Sequence, residues 1–362
     1  MSTSKDTTAL VLLEYDAILG MIEEEKRINI SLVAKVIQKL ITDTKNNPFA
    51  QEDEEGNATY KSSLRRKLKT IVAFFDNRSI SCEGTNDDFH NLAVDIARQE
   101  MHYEACIILE RGISIRPSAV DLLSDYILYG RNVPENRERC KQYFNILMDL
   151  PRSKWNWRAY SFSINHLLEE RYYVSSLEEE EKIKEEAINI AKAFIKQYND
   201  KRSDHEYIDR AYSDLASVYS AFGDYKKENM ILKTCVSRYS RVPITSMHLA
   251  ELEYSSGNYA EATQYLSNCI GTIGPQASVN QGYPFLLRAH SNASILFNNE
   301  KHKELGESPD TRNNLIMSIN RDLDTAEDLI DNETYLTSIK ILRTIIEKQC
   351  VMDDTLAEDN WG

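Results

Sequence analysis

The chain has 362 residues, room for one large domain or two to three ordinary ones. Hydrophobic residues make up 42% and charged residues 28%, which excludes wholesale disorder, and 12 Gly with 8 Pro is less than half the usual share of about 12%. That shortage of turn formers excludes a many-turned β protein, and 43 Lys+Arg against 57 Asp+Glu leave a net charge of −14 that repels phosphate, so nucleic acid is not an expected partner.

The first predicted element is a helix over roughly residues 6–27, where Leu10, Leu13, Ala17 and Met21 recur at helical spacing with Val11, Ile18 and Ile22. Its apolar run, Ala9 to Leu13, is broken at once by Glu14 and Asp16 and is too short for the core of a signal peptide. A second helix runs through Leu32, Val36, Ile37, Leu40 and Ile41 and ends at the breaker Asn46-Asn47-Pro48. An acidic link, Gln51 to Asn57, precedes a third helix through Leu64, Leu68, Ile71, Val72 and Phe75. Turn formers then place a boundary near residue 84, so that residues 1–84 read as an N-terminal three-helix segment. No window approaches the roughly 18 apolar residues of a membrane span, so no membrane association is expected and the localisation expected is cytoplasmic. Cysteines at 82, 106, 140, 235, 269 and 350 form no CxxC pair, and reduced thiols are the expectation.

Beyond residue 84 the chain reads as paired helices with an internal period. Gly223-Asp224-Tyr225 returns 34 residues on as Gly257-Asn258-Tyr259, and the same offset carries Leu215-Ala216 onto Leu249-Ala250, Leu232 onto Leu266 and Cys235 onto Cys269. Pro117 maps onto Pro151 and Cys106 onto Cys140 at that spacing too. Thirty-four residues is the tetratricopeptide period, and residues 86–153 and 209–276 resemble two pairs of tetratricopeptide repeats. Residues 209–242 give Tyr212, Leu215, Ala216, Tyr219, Gly223, Tyr225, Leu232 and Cys235 in the family order; residues 243–276 give Leu249, Ala250, Gly257, Tyr259, Ala262, Leu266 and Cys269. Residues 86–119 supply Leu92, Ala93, Ala105, Leu109, Gly112 and Pro117. Small residues let the first helix (A) and second helix (B) of each pair approach to the near end of about 8–10 Å, and glycine turns the corner. The pattern is broken at Ser246, where an aromatic is usual, and at Glu228 and Arg139, where alanine is usual.

The resemblance implies an all-α, right-handed α-solenoid of tetratricopeptide-like helix pairs. Residues 85–276 form the array, including an expanded helix pair at 154–208 with helices near 154–171 and 177–199, the latter opened by the capping box Ser176-Leu177-Glu178-Glu179. Off-register helices near 278–299, 310–331 and 334–350 fill residues 277–352, followed by an acidic tail at 353–362.

Motifs of bond chemistry are missing. No glycine precedes a lysine, so no GxxxxGK[ST] occurs; GxGxxG, GxSxG and HExxH are absent as well. Only three residues separate Arg98 from His102 and two separate Arg202 from His205, short of the four to six between the Arg and His of small helical RNases. Cys235 and Cys269 read as packing residues in the small-residue slot of helix B. No cofactor, metal or catalytic residue is assigned, and the expectation is a non-enzymatic adaptor or scaffold whose partner is a protein or peptide. Two alternatives are a ligand- or peptide-sensing regulator, resembling the Rap-type bacterial quorum-peptide receptors in layout, and a helical RNase or other enzyme accessory.

Two surfaces are candidates for that partner. In tetratricopeptide proteins the groove is lined by helix A, which the resemblance carries onto Arg210, Ser213, Ser217, Ser220 and Ala221 beside Ile244, Met247, Glu251, Tyr254 and Ser255. Tyr254 and Met247 are the expected anchors, and serines with Glu251 at the central positions speak against the Lys/Asn/Arg clamp for a C-terminal carboxylate. The second candidate is a basic patch on the third helix, Lys61, Arg65, Arg66 and Lys69 with Lys67, which would suit an acidic partner and otherwise serves as a solvated face. The segment Lys154-Trp155-Asn156-Trp157-Arg158 offers aromatics beside cations, suited to filling a seam between repeats.

Overall fold

A computed structural model describes residues 3–45, 54–199, 205–274, 280–297 and 309–359, with side chains described over 14–44, 61–199, 207–274, 280–297 and 312–348. The chain divides into two compact units, Met1–Val174 and Ser175–Gly362. The division falls inside the span that the sequence assigns to one array of repeats.

In the N-terminal unit, α1 (Thr3–Glu25) is followed by a strand β1 (Arg27–Asn29), then α2 (Ile30–Lys45), α3 (Glu54–Asp76), a strand β2 (Ser81–Glu83) and five helices. These are α4 (Asn86–Ala97), α5 (His102–Ile115), α6 (Val120–Gly130), α7 (Arg137–Asp149) and α8 (Trp157–Glu170). Consecutive helices pack in antiparallel pairs, and α2, α4, α6 and α8 also pack in sequence along one side, the relation that repeated A helices have. The pair α2/α3 therefore extends the stack of α4/α5 and α6/α7, and the first 84 residues are built into it. Leu68, Ile71 and Phe75 of α3 and Phe89, Leu92 and Ile96 of α4 are fully buried or nearly so, each contributing about 1.5–3 kcal/mol.

Two expectations are corrected here. The link proposed at residues 51–57 is helical from Glu54, since an acidic sequence is favoured at the start of a helix; the Asn46-Asn47-Pro48 breaker lies outside the described residues. The second is a parallel two-stranded sheet, Ile28 opposite Cys82, where only turns were expected. It exists because Ile28 and Ile80 are buried against the stack while α5 holds the strand from the side: Arg111 donates to the Ile80 carbonyl and Arg116 to the Gly84 carbonyl.

The C-terminal unit comprises α9 (Leu177–Asn199), α10 (His205–Ala221), α11 (Tyr225–Arg238), α12 (Pro243–Ser255), α13 (Tyr259–Thr272), α14 (Tyr283–Phe297), α15 (Pro309–Leu329) and α16 (Glu333–Asp359). The pairs are α10/α11, α12/α13 and α14/α15, with α9 packed before α10 and α16 after α15. The Ser176 hydroxyl accepts the Glu179 N–H (3.2 Å), as a cap of α9 should. The helix α16 continues through Asp359, so most of the expected acidic tail is helical.

The 34-residue offset is physical as well as textual. Gly223 (φ 73°) and Gly257 (φ 79°) take the left-handed conformation at both A-to-B turns, where any other residue would be strained. At each turn the following N–H closes back on the helix, Asp224 onto the Tyr219 carbonyl (2.9 Å) and Asn258 onto that of Glu253 (2.8 Å). Ala216 and Ala250 are fully buried where the paired helices cross, packed in clusters that also hold Leu232 and Leu266. Cys235 and Cys269 are fully buried free thiols, and burial pushes each up to about 12. At that value they are protonated packing groups.

The departures from the repeat pattern are accommodated locally. Glu228, in a slot usually filled by alanine, is 1% exposed and meets His248 of α12 at 2.9 Å. Ser246, in the aromatic slot, is buried and accepts a hydrogen bond from Asn268 (3.2 Å). Arg139 reaches Glu110 at 3.6 Å from an exposed position.

Candidate functional site: the A-helix faces

In the N-terminal unit, neighbouring A helices are joined by side chains. Ser31 of α2 donates to Asp88 of α4 (2.9 Å), and Gln38 to Asp95 (3.1 Å). Asp88 also closes a capping box with Thr85, whose hydroxyl accepts the Asp88 N–H, and these bonds hold its carboxyl below the usual range. Deeper in the stack, Asp125 of α6, only 2% exposed in its side chain, lies 2.5 Å from His90 Nδ1 on α4. Arg158 of α8 meets the same imidazole at 2.8 Å and Asp125 at 3.7 Å. Asp121 and Asn156 continue the network at its edge. Charge on this face is paired within the protein.

Sequence reasoning did not bring His90, Asp125 and Arg158 together, yet a signal was present. His90 and Arg158 are 68 residues apart, two repeat periods, so they occupy equivalent places on helices two pairs apart. Asp125 stands between them, 35 residues from His90.

The basic patch is largely committed as well. Arg65 bonds the Glu100 carboxylate (2.6 Å) and the Gln99 carbonyl, and Lys69 reaches Glu104 at 3.6 Å. Lys67 lies over the Tyr15 ring at 5.5 Å. Lys61 and Arg66 are exposed on the outer side of α3, whose Leu64, Leu68 and Ile71 are buried. Trp155 is buried against Tyr160 and under the Arg152 guanidinium, so it fills the seam ahead of α8.

The C-terminal unit is arranged differently. Arg210, Ser213, Ser217, Ser220 and Ala221 on α10 and Ile244, Glu251 and Tyr254 on α12 are partly exposed, and Ser255 is exposed. Met247 is corrected: at 6% exposure it is buried with Ala250, Leu266, Cys269 and Leu287. The reason lies in the next pair, where α14 brings Leu287 onto the side chain that would otherwise anchor a ligand.

Around Glu251 the face is aromatic. Tyr254 and Tyr283 pack over the Met247 cluster, Tyr254 edge-on to Tyr259 (5.4 Å between centroids) and Tyr283 tilted against Tyr335 of α16 (5.3 Å). The Tyr283 hydroxyl bonds the Glu251 carboxylate and that of Tyr254 bonds Ser294 of α14. Burial raises the Glu251 carboxyl above the usual range, opposed by the nearby His248 and the Tyr283 bond. Burial and the Glu251 charge in turn push Tyr283 up to about 12. Among the described residues no group of three or more His, Cys, Asp or Glu is placed to hold a metal ion, and no helix is long and apolar enough to cross a membrane.

No protein-family model and no curated protein matches the chain. Among solved structures it is similar to TTC0263, a thermophilic tetratricopeptide protein of Thermus thermophilus, at 16% identity and a TM-score of 0.42 over 59% of this chain and 100% of that one. It is similar to pilF of Pseudomonas aeruginosa at 13% identity and a TM-score of 0.41, over 70% of this chain and 96% of that one. A tetratricopeptide repeat protein of Parabacteroides merdae ATCC 43184 is similar at 15% identity and a TM-score of 0.44, over 86% and 98% of the two chains. Scores this low transfer neither function nor fold detail. The tetratricopeptide-like character of the chain rests on its own 34-residue offset, its paired glycine turns and its buried alanines.

Proposed function

We propose that the protein is a non-enzymatic adaptor or scaffold that binds an extended segment of a protein partner along the A-helix face of its C-terminal unit. The observation that carries this reading is the side-chain make-up of that face. Arg210, Ser213, Ser217, Ser220, Glu251 and Tyr254 stand partly exposed on successive A helices, above a core that Met247, Leu249 and Ala250 keep rigid. Small hydroxyls admit a peptide backbone closely and can bond it, while Tyr254 supplies a broad apolar anchor with a polar tip. On the N-terminal face the corresponding side chains are joined to one another, His90 to Asp125 and Ser31 to Asp88.

The reading is tested by pull-down with the full chain from its native source, repeated with Tyr254→Ala plus Arg210→Glu. A partner that co-purifies with the wild-type chain should be lost from the double variant while its far-ultraviolet circular dichroism is unchanged. Full retention by a folded double variant would remove this face from consideration and move attention to Lys61 and Arg66.

A further inference from the structure

Glu251 differs from most of the acidic side chains around it. Glu253 meets Lys233 at 3.2 Å, Asp322 holds Arg288 through two bonds of 2.7 and 2.8 Å, and Glu228 is taken up by His248. Among the described residues no lysine or arginine pairs with Glu251, whose only hydrogen bond is to the Tyr283 hydroxyl. His248 lies close enough to be felt but is directed to Glu228, and His290, kept neutral by burial, bonds Ser338 at 3.0 Å. The carboxylate is thus partly desolvated without a counter-charge, a costly state that an incoming cation relieves.

Its neighbours supply the other half of a cation receptor. Tyr254 stands one turn along α12, Tyr283 on α14 and Tyr335 on α16, each partly exposed; Tyr254 and Tyr283 pack over the same cluster, and the Tyr283 and Tyr335 rings lie 5.3 Å apart. Aromatic faces attract ammonium and guanidinium groups, and the attraction grows where water is partly excluded. A carboxylate beside Tyr254 and Tyr283, with Tyr335 packed on Tyr283, therefore complements one positive charge on a long side chain. The net charge of −14 draws such a ligand in.

We propose that Glu251, Tyr254, Tyr283 and Tyr335 form a pocket for a single arginine or lysine side chain of the bound peptide. The proposal rests on the peptide-binding reading above and names the residue that fixes the peptide's register.

The test uses the immobilised full chain and four pools of acetylated, amidated nonapeptides with random flanks and a fixed central Arg, Lys, citrulline or Glu. The Arg and Lys pools should be retained roughly tenfold over citrulline, the effect of one charge-assisted contact. Glu251→Gln, nearly the same shape, should bring that ratio to within about twofold, whereas Glu261→Gln, an exposed charge removed on α13, should leave it intact. Should Glu251→Gln melt early, Tyr254→Leu carries the test, since it removes an aromatic face and must also lower the ratio. An unchanged ratio in these variants overturns the pocket. Equal retention of all four pools, abolished by Tyr254→Ala plus Arg210→Glu, overturns the pocket and leaves the peptide-binding face standing. Retention of no pool overturns both.

Discussion

In the N-terminal unit the side chains that α4, α6 and α8 turn toward one another are polar and joined, His90 to Asp125 and both to Arg158. In the C-terminal unit the same side of α10, α12 and α14 carries serines, tyrosines and a carboxylate without a cation. The repeat period is common to both, and so are the small residues at helix crossings, because these set how closely helices pack. What the A helices present is independent of the period. One scaffold yields a face joined by its own polar contacts and another whose serines, tyrosines and carboxylate stay partly exposed.

The sharpest break in that comparison is Asp125→Ala. Removing the buried carboxylate breaks its contacts with both His90 and Arg158, which should cost about 3 kcal/mol. Chemical denaturation of the variant checks this, and an unchanged midpoint would mean that the network does not join the helices. Overpacking comes next. Ala250→Leu forces a larger side chain into a fully buried crossing and should cost about 1–3 kcal/mol, read from the melting temperature.

Acid should separate the units by sign. Burial pushes His166 of the N-terminal unit down to about 4, so between about 4 and its ordinary 6.5 the unfolded chain binds the proton first. Stability from this group is therefore lost as pH falls through that window. Burial pushes Asp209 of the C-terminal unit up to about 6, against the bonds from Thr245 and Ile244, so the folded chain binds the proton first. Its contribution grows as pH falls from about 6 toward 4. Accordingly His166→Leu should flatten the acid loss of stability and Asp209→Asn should steepen it, in urea titrations across that range. At the C-terminal face Glu251→Gln should not lower stability and should raise it modestly, since no ion pair is broken and a partly desolvated charge is removed.

Much of the fold is legible in the residues. Gly223 and Gly257 announce the left-handed turns, and Ala216 and Ala250 mark the crossings, because both roles demand a particular residue size. The pair α2/α3 is hidden, since its crossing has none of these markers and its packing rests on ordinary leucines and isoleucines. The strands are three residues each, and β2 is braced at both ends by Arg111 of α5 and Arg116 just past it, a tertiary cause that no local pattern carries. For the site, position within the repeat identifies Glu251 and Tyr254 as face residues, while Met247 fails because α14, beyond the matched repeats, covers it. Tyr283 and Tyr335 belong to helices outside the 34-residue register, and only the fold brings Tyr283 to Glu251 and Tyr335 to Tyr283.

Hydrogen–deuterium exchange of the full chain, with and without the arginine-centred peptide pool, tests the central claim most directly. An open C-terminal face predicts slowed exchange within residues 243–297 and none within 86–170. Protection confined to 86–170, with 243–297 unchanged, would contradict it.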